Sequence, residues 1–339
     1  MKRLLELQKK LVPELLDVIV KRHRILRYIE LMQPIGRRSL AAYVELSERV
    51  LRGEVTFLKE QGLIDISPSG MTMTKEGEAV FEQLADVVKE LLGLKELERQ
   101  LTKVLGVKEV YVVNGDSDSD ETVKREMGRA CVSILKERMR ANDVIAVMGG
   151  TTLAAVAEMM TPYQTTRKVT FVPARGGLGE TVENQANTIS AKLAQRANAQ
   201  YRLLHVPDLL SEDAYASLVL EPAVQDILKL IQSARIVIHG IGDALTMARR
   251  RRADKSLIEK LIEAEAVGEA FGYYFNRNGE PVFKQRTIGL QLDELEDEQC
   301  IISVAGGRSK ANAIAAYMNY RPSDVLITDE GAARTLLRV

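Results

Sequence analysis

The chain has 339 residues, 46% of them hydrophobic and 28% charged, and its 47 Lys and Arg balance 47 Asp and Glu. These values suit two folded domains and exclude a disordered or fibrous chain. Its longest apolar region, residues 144–160, is broken by Gly149-Gly150-Thr151-Thr152 and Glu158, so it falls short of the roughly 18 unbroken apolar residues of a membrane span.

The opening Met1-Lys2-Arg3-Leu4-Leu5-Glu6 lacks the apolar block of a secretion signal, and the expected location is the cytoplasm. Residues 2–16 place Leu4, Leu7, Leu11 and Leu15 on one helical stripe, and a second helix is expected over 18–32, stopped by Gln33-Pro34-Ile35-Gly36. Two short helices follow, over 37–44 and 47–61. Ser47 is the expected N-cap of the latter, its apolar face is Val50, Leu51, Val55 and Leu58, and Gly62 is its stop. Two strand-like runs, 63–66 and 71–74, are joined by the turn residues Ser67-Pro68-Ser69-Gly70.

Three helices and a hairpin in this order predict a winged helix-turn-helix over residues 1–77, its second short helix lying in a DNA major groove. Between Lys21 and Arg52 eight Lys or Arg (21, 22, 24, 27, 37, 38, 49 and 52) face three Glu (30, 45 and 48), a local basic excess that suits phosphate attraction. Arg49 and Arg52, three apart, suit contacts to guanine or phosphate, whereas Arg37 and Arg38 suit phosphate alone. A protein-binding winged helix with a solvated basic face is the alternative.

Residues 78–105 form the expected connecting segment. Val80, Leu84, Val87, Leu91, Leu94, Leu97, Leu101 and Val104 approximate a heptad seam with one slip near Gly93. Such a stripe pairs either with a second copy, making a dimer, or with the chain's own C-terminal domain.

Over residues 106–339 the pattern becomes strand-helix alternation, with strands expected at 110–113, 144–148, 169–172, 202–206, 235–239, 301–304 and 325–328. Helices are expected at 122–139, 152–159, 182–196, 244–262 and 310–318. This is the rhythm of an α/β, doubly wound, mostly parallel sheet, whose ligands sit at the carboxyl ends of the strands.

Four glycine turns fall there: Met148-Gly149-Gly150-Thr151-Thr152, Pro173-Ala174-Arg175-Gly176-Gly177, His239-Gly240-Ile241-Gly242-Asp243 and Ala305-Gly306-Gly307-Arg308-Ser309-Lys310. Glycines admit a phosphate to the backbone, helix N-termini and hydroxyls donate to it, and Arg175, Ser309 and Lys310 add polar contacts. Neither a P-loop nor a Gly-x-Gly-x-x-Gly fingerprint is present, which favours sugar phosphates over nucleotides.

Gln185 follows the Arg175 loop as a further donor. Glu269, inside an apolar run, is either a buried anchor or an acceptor for a ligand hydroxyl. The tetrad of residues 249–252 is a solvated face unless one arginine, Arg250 for instance, turns inward. Cys131 and Cys300 are expected as reduced thiols, and His23, His205 and His239 have no partner at metal-ligand spacing, so no metal is expected.

Several long strings are more specific. Pro34-Ile35-Gly36-Arg37-Arg38-Ser39-Leu40, Ser47-Glu48-Arg49-Val50-Leu51-Arg52-Gly53-Glu54-Val55, Gly149-Gly150-Thr151-Thr152, Pro173-Ala174-Arg175-Gly176-Gly177-Leu178-Gly179-Glu180, Glu269-Ala270-Phe271-Gly272-Tyr273-Tyr274-Phe275 and Thr328-Asp329-Glu330-Gly331-Ala332-Ala333 resemble the SorC family of sugar-responsive bacterial transcription regulators over essentially the whole chain.

The resemblance implies a repressor of the operon for the triose stage of glycolysis, with fructose-1,6-bisphosphate or a related sugar phosphate as inducer. Double-stranded operator DNA is the expected partner, and dimers are expected to associate into a tetramer on it. The resemblance also implies phosphate contacts from Thr151, Thr152, Arg175, Gln185, Arg250, Ser309 and Lys310, with Glu269 toward the sugar. The family's effector domain is similar to ribose-5-phosphate isomerase and glucosamine-6-phosphate deaminase, so the alternative is an isomerase- or deaminase-like enzyme. The deaminases carry an Asp-Gly-His stretch after the corresponding turn, and here the histidine is absent after His239-Gly240-Ile241-Gly242-Asp243.

Overall fold

The computed structural model describes residues 11–162, 168–177, 181–207 and 211–338, and the chain divides into two units, Met1–Glu96 and Leu97–Val339. Of the first expected helix, residues 2–10 lie outside the described residues. Residues 13–16 belong to the next helix, because α1 runs unbroken over Pro13–Met32 with proline in its first turn, where a missing N–H costs nothing.

In the first unit α1 is followed by α2 (Arg37–Val44), α3 (Glu48–Glu60) and the hairpin β1 (Ile64–Ser67) and β2 (Gly70–Met73). Ser47 caps α3, its Oγ accepting from the Val50 amide at 3.4 Å. Leu51, Val55 and Leu58 are buried, but Val50 is exposed, contrary to expectation. It lies about 100° around the helix from Leu51, off the line that the i, i+4, i+7 positions bury. The wing is pinned to the α1–α2 connection by two backbone bonds between Ile35 and Met71, of 3.1 and 2.8 Å. Gly70 is required there, since a Cβ would meet the Ile35 backbone at 2.9 Å.

The expected seam helix is two helices, α4 (Lys75–Leu91) and α5 (Leu94–Leu105). Gly93, at φ +74, separates them in a conformation that other residues resist. Along the seam Leu94, Leu97 and Leu101 are buried within the chain, whereas Val80, Leu84, Val87 and Leu91 are half-buried and Val104 is exposed.

The second unit holds β3 (Glu109–Val113), α6 (Thr122–Arg138), β4 (Val144–Val147), α7 (Thr151–Met159), β5 (Thr170–Pro173), α8 (Ala186–Ala197), β6 (Gln200–Tyr201), α9 (Glu212–Leu220), α10 (Pro222–Gln232) and β7 (Ile236–His239). Then come β8 (Gly242–Asp243), α11 (Ala244–Arg250), α12 (Lys255–Glu263), β9 (Ala266–Ala270), β10 (Tyr273–Asn276), β11 (Pro281–Lys284), β12 (Cys300–Val304), α13 (Ala311–Tyr320), β13 (Val325–Asp329) and α14 (Glu330–Leu336). Seven parallel strands form one sheet in the order β3-β13-β12-β7-β4-β5-β6. The strands β7 and β13 are buried end to end, as parallel strands covered on both faces must be. The chain runs outward through β4, β5 and β6, then returns to lay β7 against the other side of β4. That junction is the topological switch point, where open α/β sheets leave a crevice.

Three expected elements differ. Residues 202–206 are not a strand, because Leu204 exchanges both of its backbone bonds with the Asn187 amide side chain, at 2.9 and 3.0 Å. The helix expected over 182–196 starts as a single tight turn, Val182–Asn184, and regular α8 begins only after the extended Gln185. The helix expected over 244–262 breaks after Arg250, where Arg252 takes φ +55 and Asp254 caps α12 by accepting from the Leu257 amide. A second, four-stranded antiparallel sheet, β11-β10-β9-β8, was not expected at all. Its β9–β10 turn is hidden in the apolar run 266–275, where Phe271 and Gly272 adopt φ +55 and +85.

Candidate functional site

The carboxyl ends of β4, β5, β7 and β12 surround a cavity of about 210 Å³. All ten residues expected at an effector site, Gly149, Gly150, Thr151, Thr152, Arg175, Gln185, Arg250, Glu269, Ser309 and Lys310, line it. The four glycine turns do converge, but they are not equivalent.

At the β4 turn, Gly150 (φ +123) precedes α7, and no side chain among the described residues caps the helix. The first-turn amides are therefore open to the cavity, and nine helical residues stand behind them. Gly149 lets this turn lock against the neighbouring loop. A Cβ would meet the Asn184 carbonyl at 2.7 Å, and the Gly150 amide donates to that same oxygen at 2.8 Å.

The β12 turn is already satisfied by carboxylates of the chain. The Gly307 amide donates to Asp329 (2.6 Å), the Arg308 amide to Asp116 (3.3 Å) and the Ser309 amide and hydroxyl to Asp118 (2.8 and 2.9 Å). Ser309 thus lines the cavity with its hydroxyl engaged elsewhere. Lys310 differs, its ammonium having no ion-pair or hydrogen-bond partner among the described residues. Burial holds its ammonium below the ordinary lysine range, and the like charges of Lys124 and Arg250 deepen the shift against the opposing Asp118 and Asp329.

At the β7 turn Asp243 caps α11, accepting from the Thr246 amide at 2.8 Å, so the chain itself satisfies this end too. His239 is wholly buried. Its Nε2 lies 2.6 Å from the Ser303 hydroxyl and its Nδ1 3.1 Å from the Gly240 carbonyl, between Phe271 and Tyr317. Burial pushes its pKa down to about 4, so it is neutral near pH 7 and no proton carrier there.

Glu269 is 4% exposed and anchored. Its Oε1 accepts from Arg251 Nη2 (3.0 Å) and the Gly272 amide (2.8 Å), and lies 3.9 Å from Arg175 Nη1. Burial works against its charge, but Arg251, Arg175 and the Gly272 amide outweigh that and hold the carboxyl below its usual range. Arg251 was missed by sequence reasoning, which treated the tetrad as one helix face and singled out Arg250. Both arginines line the cavity, and Arg251 is buried because the helix ends at Arg250 and the chain turns inward. The lining carries Arg175, Arg250, Arg251 and Lys310 against Asp243 and Glu269, an excess of positive charge.

In the first unit Arg37, Arg38, Ser47, Arg49 and Arg52 are all exposed on α2, α3 and the turn between them. Arg38 lies 3.8 Å from Glu48, and Arg49 and Arg52 have no charged partner among the described residues. The rest of the basic excess serves α1. Lys21 and Arg22 both pair with Glu54 of α3, and Arg22 also lies over the Phe57 ring at 3.6 Å. Arg24 reaches Glu45 at 3.4 Å and Arg27 is buried. The available basic surface is therefore concentrated on the two short helices.

No described helix is long and apolar enough to cross a membrane. A CggR N-terminal DNA binding domain profile matches residues 18–88, and a sugar-binding domain profile matches residues 89–338. Central glycolytic genes regulators from Priestia megaterium and Bacillus subtilis are 59% and 53% identical to the chain, each over all of it and 99% of the relative. A SorC family transcriptional regulator structure from Enterococcus faecalis is 44% identical, with TM-score 0.68 over 71% of this chain and 99% of that one. The full-length sorbitol operon regulator SorC from Klebsiella pneumoniae, at 19% identity, shares the fold with TM-score 0.69 over 95% of this chain and 98% of its own. The chain therefore belongs to the SorC family of transcriptional regulators, in its central glycolytic genes regulator branch, and is a DNA-binding, sugar-binding regulator.

Proposed function

We propose that this regulator acts on glycolytic genes as a cytoplasmic repressor, and that a phosphorylated sugar, foremost fructose-1,6-bisphosphate, releases it from its operator. The observation that carries the reading is the pairing, around one cavity, of an uncapped helix N-terminus with a half-buried lysine whose ammonium has no ion-pair partner among the described residues. Both features favour an anion.

In this reading Gly149, Gly150, Thr151 and Thr152 receive one phosphate at the α7 amides, aided by Arg175 and Gln185. Arg250 and Lys310 take the other, and Ser309 joins only by exchanging Asp118 for the ligand. Glu269 orients its two arginines and faces the sugar. Arg49 and Arg52 read or clamp the operator from α3, Arg37 and Arg38 hold phosphates, and Ser47 fixes the start of the reading helix. Residues 1–77 form the DNA-binding domain, 78–105 the connecting and dimerising segment, and 106–339 the effector domain, with dimers pairing into a tetramer on DNA.

Release requires the inducer to bind the DNA-free conformation better, and operator DNA then weakens inducer binding by the same factor. A coupling of about 1–3 kcal/mol changes operator affinity roughly 5- to 150-fold. A thermal-shift panel of mono- and bisphosphorylated sugars tests the ligand class, because a native-state ligand raises the melting temperature. The largest shift is expected for fructose-1,6-bisphosphate. A panel in which no phosphorylated sugar moves the transition contradicts the proposal.

A further inference from the structure

Arg175 does not stand at its strand end unaided. Residues 288–290, on the return from β11 to β12, lie antiparallel to residues 174–176. The Gly176 amide donates to the Ile288 carbonyl at 2.9 Å, the Leu290 amide donates to the Ala174 carbonyl at 2.7 Å, and Gly289 is bridged to Arg175. Ile288 and Leu290 are each 1% exposed, so this strap is set into the core.

The approach is as close as backbones allow. A Cβ on Gly289 would fall 2.4 Å from Arg175 Cα and 2.5 Å from the Ala174 carbonyl, and Gly289 itself holds φ +139, a region essentially reserved for glycine. The segment leading into the strap is tied to the β9–β10 turn, since the Gln285 amide donates to the Gly272 carbonyl at 2.8 Å. A Cβ on Gly272 would lie 3.5 Å from Arg175 Nη1, so the guanidinium rests beside that turn. The backbone of Arg175 is thereby fixed by the strap, and its guanidinium lies beside the turn that the segment before the strap holds.

We propose that Gly289 is a positioning residue for the effector site. The strap 288–290 sets where the Arg175 guanidinium meets an anionic ligand, and a side chain at 289 displaces it. The proposal rests on the reading that the cavity takes a phosphorylated sugar. Gln291 offers a gentler handle, because its Nε2 donates to the Thr287 and Gly289 carbonyls at 3.0 and 3.2 Å and closes the strap. Gln291→Glu keeps the shape but sets a carboxylate against two carbonyl oxygens.

The test is a double-mutant cycle on the full chain with fructose-1,6-bisphosphate, and inorganic phosphate as a smaller probe. Gly289→Ala should weaken binding by roughly 10- to 100-fold, the worth of one charge-assisted contact. In an Arg175→Ala background the same change should move affinity less than about twofold, because both changes remove one interaction. A general packing defect would cost the same in both backgrounds, and that result overturns the proposal. If Gly289→Ala does not fold, Gln291→Glu is carried through the same cycle with the same two outcomes. If the wild-type chain binds neither probe, the ligand reading fails. The positioning claim is then decided by the crystal structure of Gly289→Ala, which supports it if the Arg175 side chain is displaced and overturns it if the side chain is unmoved.

Discussion

Replacing Lys310 with Met removes one charge while keeping the length of the side chain, and two opposite effects should follow. The ammonium is half-buried beside Lys124 and Arg250, and the opposing charges of Asp118 and Asp329 do not offset its desolvation. A charged group held this way destabilises the empty protein and becomes favourable only when an anion arrives. Lys310→Met should therefore raise the melting temperature of the ligand-free chain. A hydrogen bond to a charged group contributes about 1.5–3 kcal/mol, so losing it should weaken fructose-1,6-bisphosphate roughly 10- to 140-fold.

The pH dependence has a definite sign. The folded pKa of Lys310 lies below its unfolded value, so above the folded pKa the unfolded chain holds more protons and this group makes stability rise with pH. An anion favours the protonated ammonium, so ligand affinity should fall as pH rises through the same value. Calorimetric titration and thermal melts of wild type and Lys310→Met across alkaline pH would measure both effects. The reasoning is refuted if the variant melts lower, or binds the bisphosphate within twofold of wild type while the wild type binds it well.

Arg52→Ala should weaken operator binding and leave the ligand-induced thermal shift unchanged; if Arg52 touches a phosphate, the slope of log affinity against log salt should shrink by about one in anisotropy titrations. Glu54→Gln loosens the clamp that Lys21 and Arg22 make between α1 and α3, and should lower the melting temperature of the DNA-binding unit. Burial opposes the Glu54 charge, but those two cations hold its carboxyl below the usual range, so the clamp's contribution is present above the ordinary glutamate pKa and lost as pH falls through the lowered value. His239, with its pKa pushed down to about 4, should give no inflection in ligand affinity between pH 5 and 8, and an NMR titration of its ring protons would check this.

Much of the site was legible because its chemistry is local in sequence. Glycine after a buried strand, followed by hydroxyls or cations, is a short-range signal, and the seven residues read that way, Gly149, Gly150, Thr151, Thr152, Arg175, Ser309 and Lys310, reached one cavity together with Gln185, Arg250 and Glu269. The use made of each turn was not legible. Whether helix amides stay open depends on residues far away, and Asp116, Asp118 and Asp329 reach the Gly307–Ser309 amides across about 20 to 190 positions. Arg251 was hidden for a related reason. Nothing in Arg249-Arg250-Arg251-Arg252 marks the helix end, which Arg252 makes by entering a left-handed conformation.

The winged helix-turn-helix was read from periodicity and turn residues with small boundary shifts. Its basic count misled, because Glu54 and Glu45 bind three of the eight cations and Arg27 is buried. The second sheet escaped notice because a two-residue turn inside an apolar run leaves no polar break, and Phe271 is an unusual residue for a positive φ.

The account turns on capture of an anionic sugar at the β4–β7 switch point weakening the grip of α3 on DNA. The direct measurement is the anisotropy of labelled operator bound to the full chain, titrated with fructose-1,6-bisphosphate, beside the reverse titration of ligand with and without operator. The account predicts release of the operator, an equal factor of weakening in both directions, and a displaced titration for Lys310→Met that binds operator normally. An operator complex that stays intact at every ligand concentration, while the ligand is shown to be bound, would contradict it.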